Sequence, residues 1–134
     1  ASALAPTSQK DAKDLAWGGG AFHARIAFGG EYEVPASLEL LLTGPNAAIA
    51  EHDHPGWEHL AVIEGAGVMK LGGANHQVNA GSVFNIPKGV KHAFRPSGGR
   101  RLLAVQIYTP SGPEQRFLKL SAESKAADKP APKK

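Results

Sequence analysis

The sequence predicts an all-β domain, a sandwich or barrel of short strands, and three observations carry that prediction. The 16 Gly and 10 Pro among 134 residues punctuate the chain with frequent turns. Phe22, Ala24, Ile26 and Phe28 alternate with His23 and Arg25, the period of two that a strand with one buried face requires. Helical periodicity is absent over the same window. The length suits one domain around one core, because independent domains usually need on the order of 100 residues. An apolar share of 42% with 20% charged residues is ordinary for a globular protein. No apolar run approaches the roughly 20 residues that span a bilayer, so no membrane partner is expected.

The elements follow in order. Residues 1–15 are small and polar with a short charged stretch from Lys10 to Asp14, which predicts a flexible N-terminal arm ahead of a domain at 16–120. Gly18-Gly19-Gly20 reads as a flexible turn before the first strand. Strands are predicted at Ala21–Phe28, Ser37–Thr43, Ala47–His52, Glu58–Glu64, Val68–Leu71, His76–Val78, Ser82–Ile86, Lys91–Phe94 and Arg101–Tyr108. One short C-terminal helix is predicted at Pro113–Leu120, with Pro113 in its first turn, Glu114 at the positive end of the dipole and Lys119 near the other. It is expected to cover a barrel edge. Residues 121–134 are dominated by Ala, Lys and Pro and are expected to be a disordered tail.

The charge of the chain belongs to that end. Five lysines from Lys119 onward, against Glu123 and Asp128, account for the whole net charge of +3, and the rest is neutral. A nucleic-acid footprint needs a folded basic face with stacking aromatics, so no nucleic-acid partner is expected. The absence of cysteine excludes disulfides, thiolate catalysis and Cys-based zinc sites. The opening Ala1-Ser2-Ala3-Leu4-Ala5-Pro6 suggests a trimmed or mature start and, with the Lys/Pro/Ala tail, an exported protein, periplasmic or secreted.

The chemistry concentrates in four residues. His52-Asp53-His54 places two imidazoles at i and i+2, on one face of a strand and a few ångströms apart. Pro55-Gly56 turns the chain so that the Glu58 carboxylate can return to whatever the histidines hold, and His92 follows a Pro87-Lys88-Gly89 turn. Three imidazoles and a carboxylate suit one divalent transition ion, iron(II), manganese, nickel, zinc or copper, and on an octahedral ion leave two positions open.

The segment from Gly44 to Pro96 resembles the two signature motifs of the cupin superfamily. The first is matched by His52, His54, Glu58 and Gly65, with Asn46 where the family opens on Gly; the second by Gly81, Pro87, Gly89 and His92, with Pro96 where the family closes on Asn. Asn tolerates the left-handed backbone region almost as Gly does, whereas Pro96 loses a side-chain hydrogen bond that the family often has. The resemblance implies a small single-domain cupin: a double-stranded β-helix of jelly-roll type holding a metal on His52, His54, Glu58 and His92. It also implies a homodimer paired through the N-terminal strands, here Ala21–Phe28. A lone His on a strand is usually a surface or satisfied residue, and His23, His59 and His76 are read that way.

Alternation names the residues around the ion. Leu60 and Val62 follow Glu58 on its face, and Phe94 follows His92, which predicts an apolar pocket. In Arg101–Tyr108 the set Leu102, Ala104, Gln106, Tyr108 alternates with Leu103, Val105, Ile107; if the first set faces inward, Gln106 and Tyr108 are candidate catalytic groups. Trp57 either roofs the cavity mouth or packs between subunits or sheets, and Met69 and Phe84 are core. No nucleophile elbow and no phosphate-binding Gly-rich loop competes. Three functions remain open: a metal-dependent oxygenase, isomerase or lyase acting on a small molecule, a non-catalytic binding or sensor module, and a domain whose ion only fixes the barrel.

Overall fold

The structure is a computed structural model describing residues 12–30 and 35–127. The expected arm at 1–11 and the last part of the expected tail, 128–134, lie outside the described residues. The strands are β1 (Asp14–Trp17), β2 (Phe22–Phe28), β3 (Ser37–Thr43), β4 (Ile49–His52), β5 (Trp57–Glu64), β6 (Gly67–Leu71), β7 (Ala74–Val78), β8 (Val83–Ile86), β9 (His92–Pro96) and β10 (Leu102–Thr109). One helix, α1 (Gln115–Ala127), follows them.

The strands form two antiparallel sheets, in the orders β1-β2-β3-β10-β5-β8 and β4-β9-β6-β7. β10 lies between β3 and β5, and its alternation decides which side faces in. Leu102, Ala104, Gln106 and Tyr108 are all buried, while Leu103, Val105 and Ile107 are partly exposed. Between the sheets Leu60, Val62, Met69, Val78, Phe94, Leu102 and Ala104 form the core, with Phe84 packed against it. Met69 and Phe84 therefore sit where the sequence placed them. A second cluster of Leu15, Ala24, Tyr108 and Phe117 lies under α1.

The ordered domain is wider than 16–120 at both ends. β1 starts inside the stretch expected to be a loose arm, pairing with β2 in register from Asp14↔Arg25 to Trp17↔Phe22. Four residues are too few to show alternation, but burial of Leu15 and stacking of Trp17 between Phe22 and Phe117 hold them in the sheet. α1 continues beyond Leu120, so 121–127 are helical rather than disordered. Ala, Glu and Lys are strong helix formers, and Ser121 stands one turn after Phe117 on the same buried face. The helix packs on β1, as an element covering an edge should.

β3 carries the inversion that matters for the site. Ser37, Glu39, Leu41 and Thr43 are buried, and the more apolar set Leu38, Leu40 and Leu42 faces outward and is partly exposed. In register with β10, Glu39 lies opposite Gln106 and Ser37 opposite Tyr108, so one end of the interior is polar while Leu41 and Ala104 continue the apolar core.

Candidate metal centre

Each predicted ligand is delivered by a different piece of local structure. His52 ends β4 and is the direct cross-strand partner of His92, the first residue of β9. His54 lies just past the end of β4 rather than on it, and Glu58 is the second residue of β5 in the other sheet. Two backbone contacts bring these segments together. Gly89, at φ +74°, donates its N–H to the His54 carbonyl at 2.9 Å and so ties the turn before His92 to the loop of the first two histidines. At Gly56 a Cβ would stand 2.8 Å from the Thr109 carbonyl oxygen, so the turn between His54 and Glu58 rests against the end of β10 only because it has no side chain.

The four side chains converge. One ligand-type atom from each of His52, His54, Glu58 and His92 lies within 4.8 Å of all the others. His54 Nε2 is 2.9 Å and His92 Nε2 3.4 Å from the same Glu58 oxygen, and the three acceptors of ligand type other than His52 are buried. The ring orientations are fixed from behind. Nδ1 of His52, His54 and His92 donates to the carbonyls of Ala50, Gly56 and Val90 at 2.8, 3.1 and 2.9 Å. A carbonyl can only accept, so each Nδ1 holds a hydrogen, which leaves Nε2 as the atom that offers a lone pair to an ion once it carries no proton.

Three lone pairs and a carboxylate aimed at one point repel one another unless a positive charge lies between them. Burial alone would raise the Glu58 pKa, but contacts from His54 and His92, the charge on His92 and a hydrogen bond from Gln106 hold it at about 2, so the carboxylate is ionised. His92 is shifted upward: burial opposes its charge, and its contact with Glu58 outweighs burial. His52 is shifted downward, mainly by burial. The donor set fits a transition ion. Ligand atoms on ~2.1 Å bonds lie about 3 Å apart when adjacent and about 4.2 Å apart when opposite, so slight closure of the observed group would hold such an ion.

Above these residues opens a cavity of about 370 Å³, within the size range of small-molecule sites; Leu60 and Phe94 line it as the alternation predicted, Met69 lines it too, and Val62 lies in the core instead, one step further along β5. Gln106 and Tyr108 both face it. Gln106 holds one end of its amide on Glu58 and has no protein partner for Oε1. Burial, and then the Glu58 charge, push the Tyr108 phenol well above 10, so it stays protonated.

Trp57 does not roof the mouth. It is 42% exposed on the outer face of β5, stacked on His59, and the cavity is bounded instead by Trp17, Arg116 and Phe117. Strand alternation gives the reason, since Trp57 precedes an inward Glu58 and must point the other way. The remaining histidines have other contacts: His23 with Asp14, His59 with Asn85, and His76 edge-on to Phe84. Arg116 and Trp17 escaped sequence reasoning because nothing local marks a helix or arm residue as cavity-lining. The adjacency of Arg116 to Phe117 on a helix docked over the barrel was the available signal.

The geometry is that of two sheets closing on a His/Glu cluster, and the family model described as Cupin domain matches residues 40–108, which contain every one of these ligands. The chain belongs to the cupin superfamily. Solved cupins share its jelly-roll architecture. An RmlC-like cupin from Shewanella frigidimarina is 15% identical, with 81% of this chain and 93% of that chain covered at a TM-score of 0.70. The polyketide cyclase RemF from Streptomyces resistomycificus is 20% identical, with 82% of each chain covered and a TM-score of 0.69. A predicted oxalate decarboxylase from Thermotoga maritima is 17% identical over 79% of this chain and 99% of that chain, with a TM-score of 0.68. At these identities the likeness is one of fold. No curated protein matches the sequence.

Proposed function

We propose that this cupin binds one divalent transition ion on His52, His54, Glu58 and His92 and acts on a small organic molecule in the cavity above it. One observation carries the reading: three imidazoles, each with Nδ1 committed to a backbone carbonyl, turn Nε2 towards one ionised carboxylate. A bound ion with open positions supplies Lewis acidity to a coordinated oxygen, or a site for oxygen activation. The chain supplies orientation. Gln106 offers Oε1 as an acceptor and the neutral Tyr108 phenol a donor, on a cavity whose walls are mostly apolar. Cupins of this fold include proteins described as a polyketide cyclase and a predicted oxalate decarboxylase, which supports lyase-type chemistry, while the oxygenase and isomerase alternatives rest on the open positions of the ion.

A second reading, a binding or sensor module without turnover, is favoured by the neutrality of both candidate groups, since neither is poised as a general base at neutral pH. Elemental analysis tests the shared premise. Protein as purified is expected to carry close to one equivalent of a transition ion, and His52→Ala/His54→Ala to carry none while remaining folded by circular dichroism. Undiminished metal in the double variant would remove the site. Oxygen uptake under iron(II), measured with and without candidate organic substrates, then separates an oxygenase from the other readings.

A further inference from the structure

We propose that Arg116 receives the carboxylate of a small organic acid whose apolar body fills the cavity above the metal ligands. The inference rests on the cavity being the working site, as proposed above, and adds the class of ligand. Arg116 lies on the second residue of α1 and lines the cavity together with its neighbour Phe117, which is 2% exposed and anchors the helix.

The anchoring is built from two sides. Trp17 is stacked between Phe117 and Phe22, with centroids at 5.2 and 5.6 Å, so one wall of the cavity is an aromatic stack. The buried Glu114, immediately before the helix, accepts from Gly112 N at 2.8 Å and from Gly30 N at 3.2 Å. These contacts fix the start of α1 over the cavity, and with it the rim position of Arg116, an exposed residue that lines the mouth.

Two readings of Arg116 compete: a solvated helix arginine, and an anchor for an anion. The pairing of the lining residues favours the second. Among the described residues no carboxylate pairs with Arg116, and its recorded contact is with the Phe117 ring at 5.8 Å. The other acid lining the rim, Glu51, already has Lys70 at 3.7 Å. Of the acids that line the cavity, Glu58 is committed to the ligand cluster and Glu51 to Lys70, whereas the buried Glu39 and Glu114 are not lining residues, so Arg116 is a lining cation with no lining carboxylate as its partner. An unmatched guanidinium on the lining of an apolar cavity favours an anion, and a planar fork of donors suits a carboxylate. The aromatic wall, with Leu60 and Phe94 also on the lining, suits a ring or a short hydrocarbon body.

The test compares phenylacetate with phenylacetamide, which share shape and differ in charge, by calorimetric titration of zinc-loaded and metal-free protein. Wild type is expected to bind the acid at least about tenfold more tightly than the amide, the scale of a charged hydrogen-bonded contact. Arg116→Gln should reduce that preference to less than about threefold at unchanged zinc content, and Arg116→Lys should keep part of it. Gln and Lys are both good helix formers, so neither change disturbs α1. A preference that survives in Arg116→Gln, or that disappears on removing zinc alone, would place the carboxylate on the ion and overturn the inference. Failure of both compounds to bind would overturn it too. If wild type takes up no zinc, the metal reading fails, whereas an acid preference in metal-free protein that Arg116→Gln abolishes still upholds this one.

Discussion

At the scale of single residues, the centre is a competition between protons and a cation for the same lone pairs. Glu58, held at about 2, is ionised throughout the ordinary pH range and contributes no proton to the competition. His92, raised by its contact with Glu58, is the imidazole that keeps a proton to higher pH, and His52, lowered by burial, gives its proton up earlier. Metal must displace the His92 proton below that raised pKa, so affinity is expected to fall about tenfold per pH unit for each proton displaced. In the metal-free protein the sign is opposite for stability. The His92–Glu58 contact contributes fully below the unfolded imidazole value and is lost as pH rises through the raised one. Zinc titrations between pH 8 and 5 should therefore show weakening with acid and net proton release on binding, with loss of metal below about pH 6. Full retention at about pH 4 would contradict the assignment of imidazole ligands. The four ligands were legible in the sequence because fixed spacings within two motifs survive any uncertainty about sheet register. Arg116 and the buried Glu39 were not, since their positions depend on where a helix docks and which face of β3 turns inward.

At the scale of elements, the predicted strands match the observed ones to within about two residues, because Gly and Pro turns delimit them. β3 shows where such reading stops: Leu38, Leu40 and Leu42 are a better apolar face than Ser37, Glu39, Leu41 and Thr43, yet the second set is buried. Period two tells that the sets differ, and only the partner strands tell which is inside. The start of α1 offers a sharper test. Glu114 was expected to serve the helix dipole, but its carboxylate instead accepts from the N–H groups of Gly112 and Gly30, joining the loop after β2 to the entry of the helix. Glu114→Ala leaves those groups without that partner and is expected to cost about 2–3 kcal/mol, read as a lower urea midpoint at unchanged m-value. Glu114→Gln, which retains an acceptor, should recover part of the loss. An unchanged midpoint in the alanine variant would show that the clamp contributes nothing, and that Phe117 alone seats the helix.

At the scale of the whole molecule, the polar interior of β3 and its apolar exterior have one common consequence. The site needs Gln106 and Glu58 inside, and the register that turns Gln106 inward also turns Leu103, Val105 and Ile107 outward. They lie beside Leu38, Leu40 and Leu42, with Ile63 at 55% and Val83 at 66% exposure on the neighbouring strands. Scattered apolar surface is normal, whereas a contiguous sheet face of this kind is what association between chains covers. For the homodimer expected through Ala21–Phe28 we propose a contact one strand further in, because β2 presents His23 and Arg25 outward, whereas β3 and β10 present hydrocarbon. A two-fold interface uses the same patch on both copies, so one charge introduced there meets its own image. Sedimentation equilibrium is expected to give twice the chain mass for the wild type. Leu40→Glu, opposite Val105 at the centre of the face, should give a monomer that keeps its metal. A monomeric wild type at micromolar concentration would remove the dimer, while a variant that loses metal with association would show that the interface supports the centre rather than merely covering hydrocarbon.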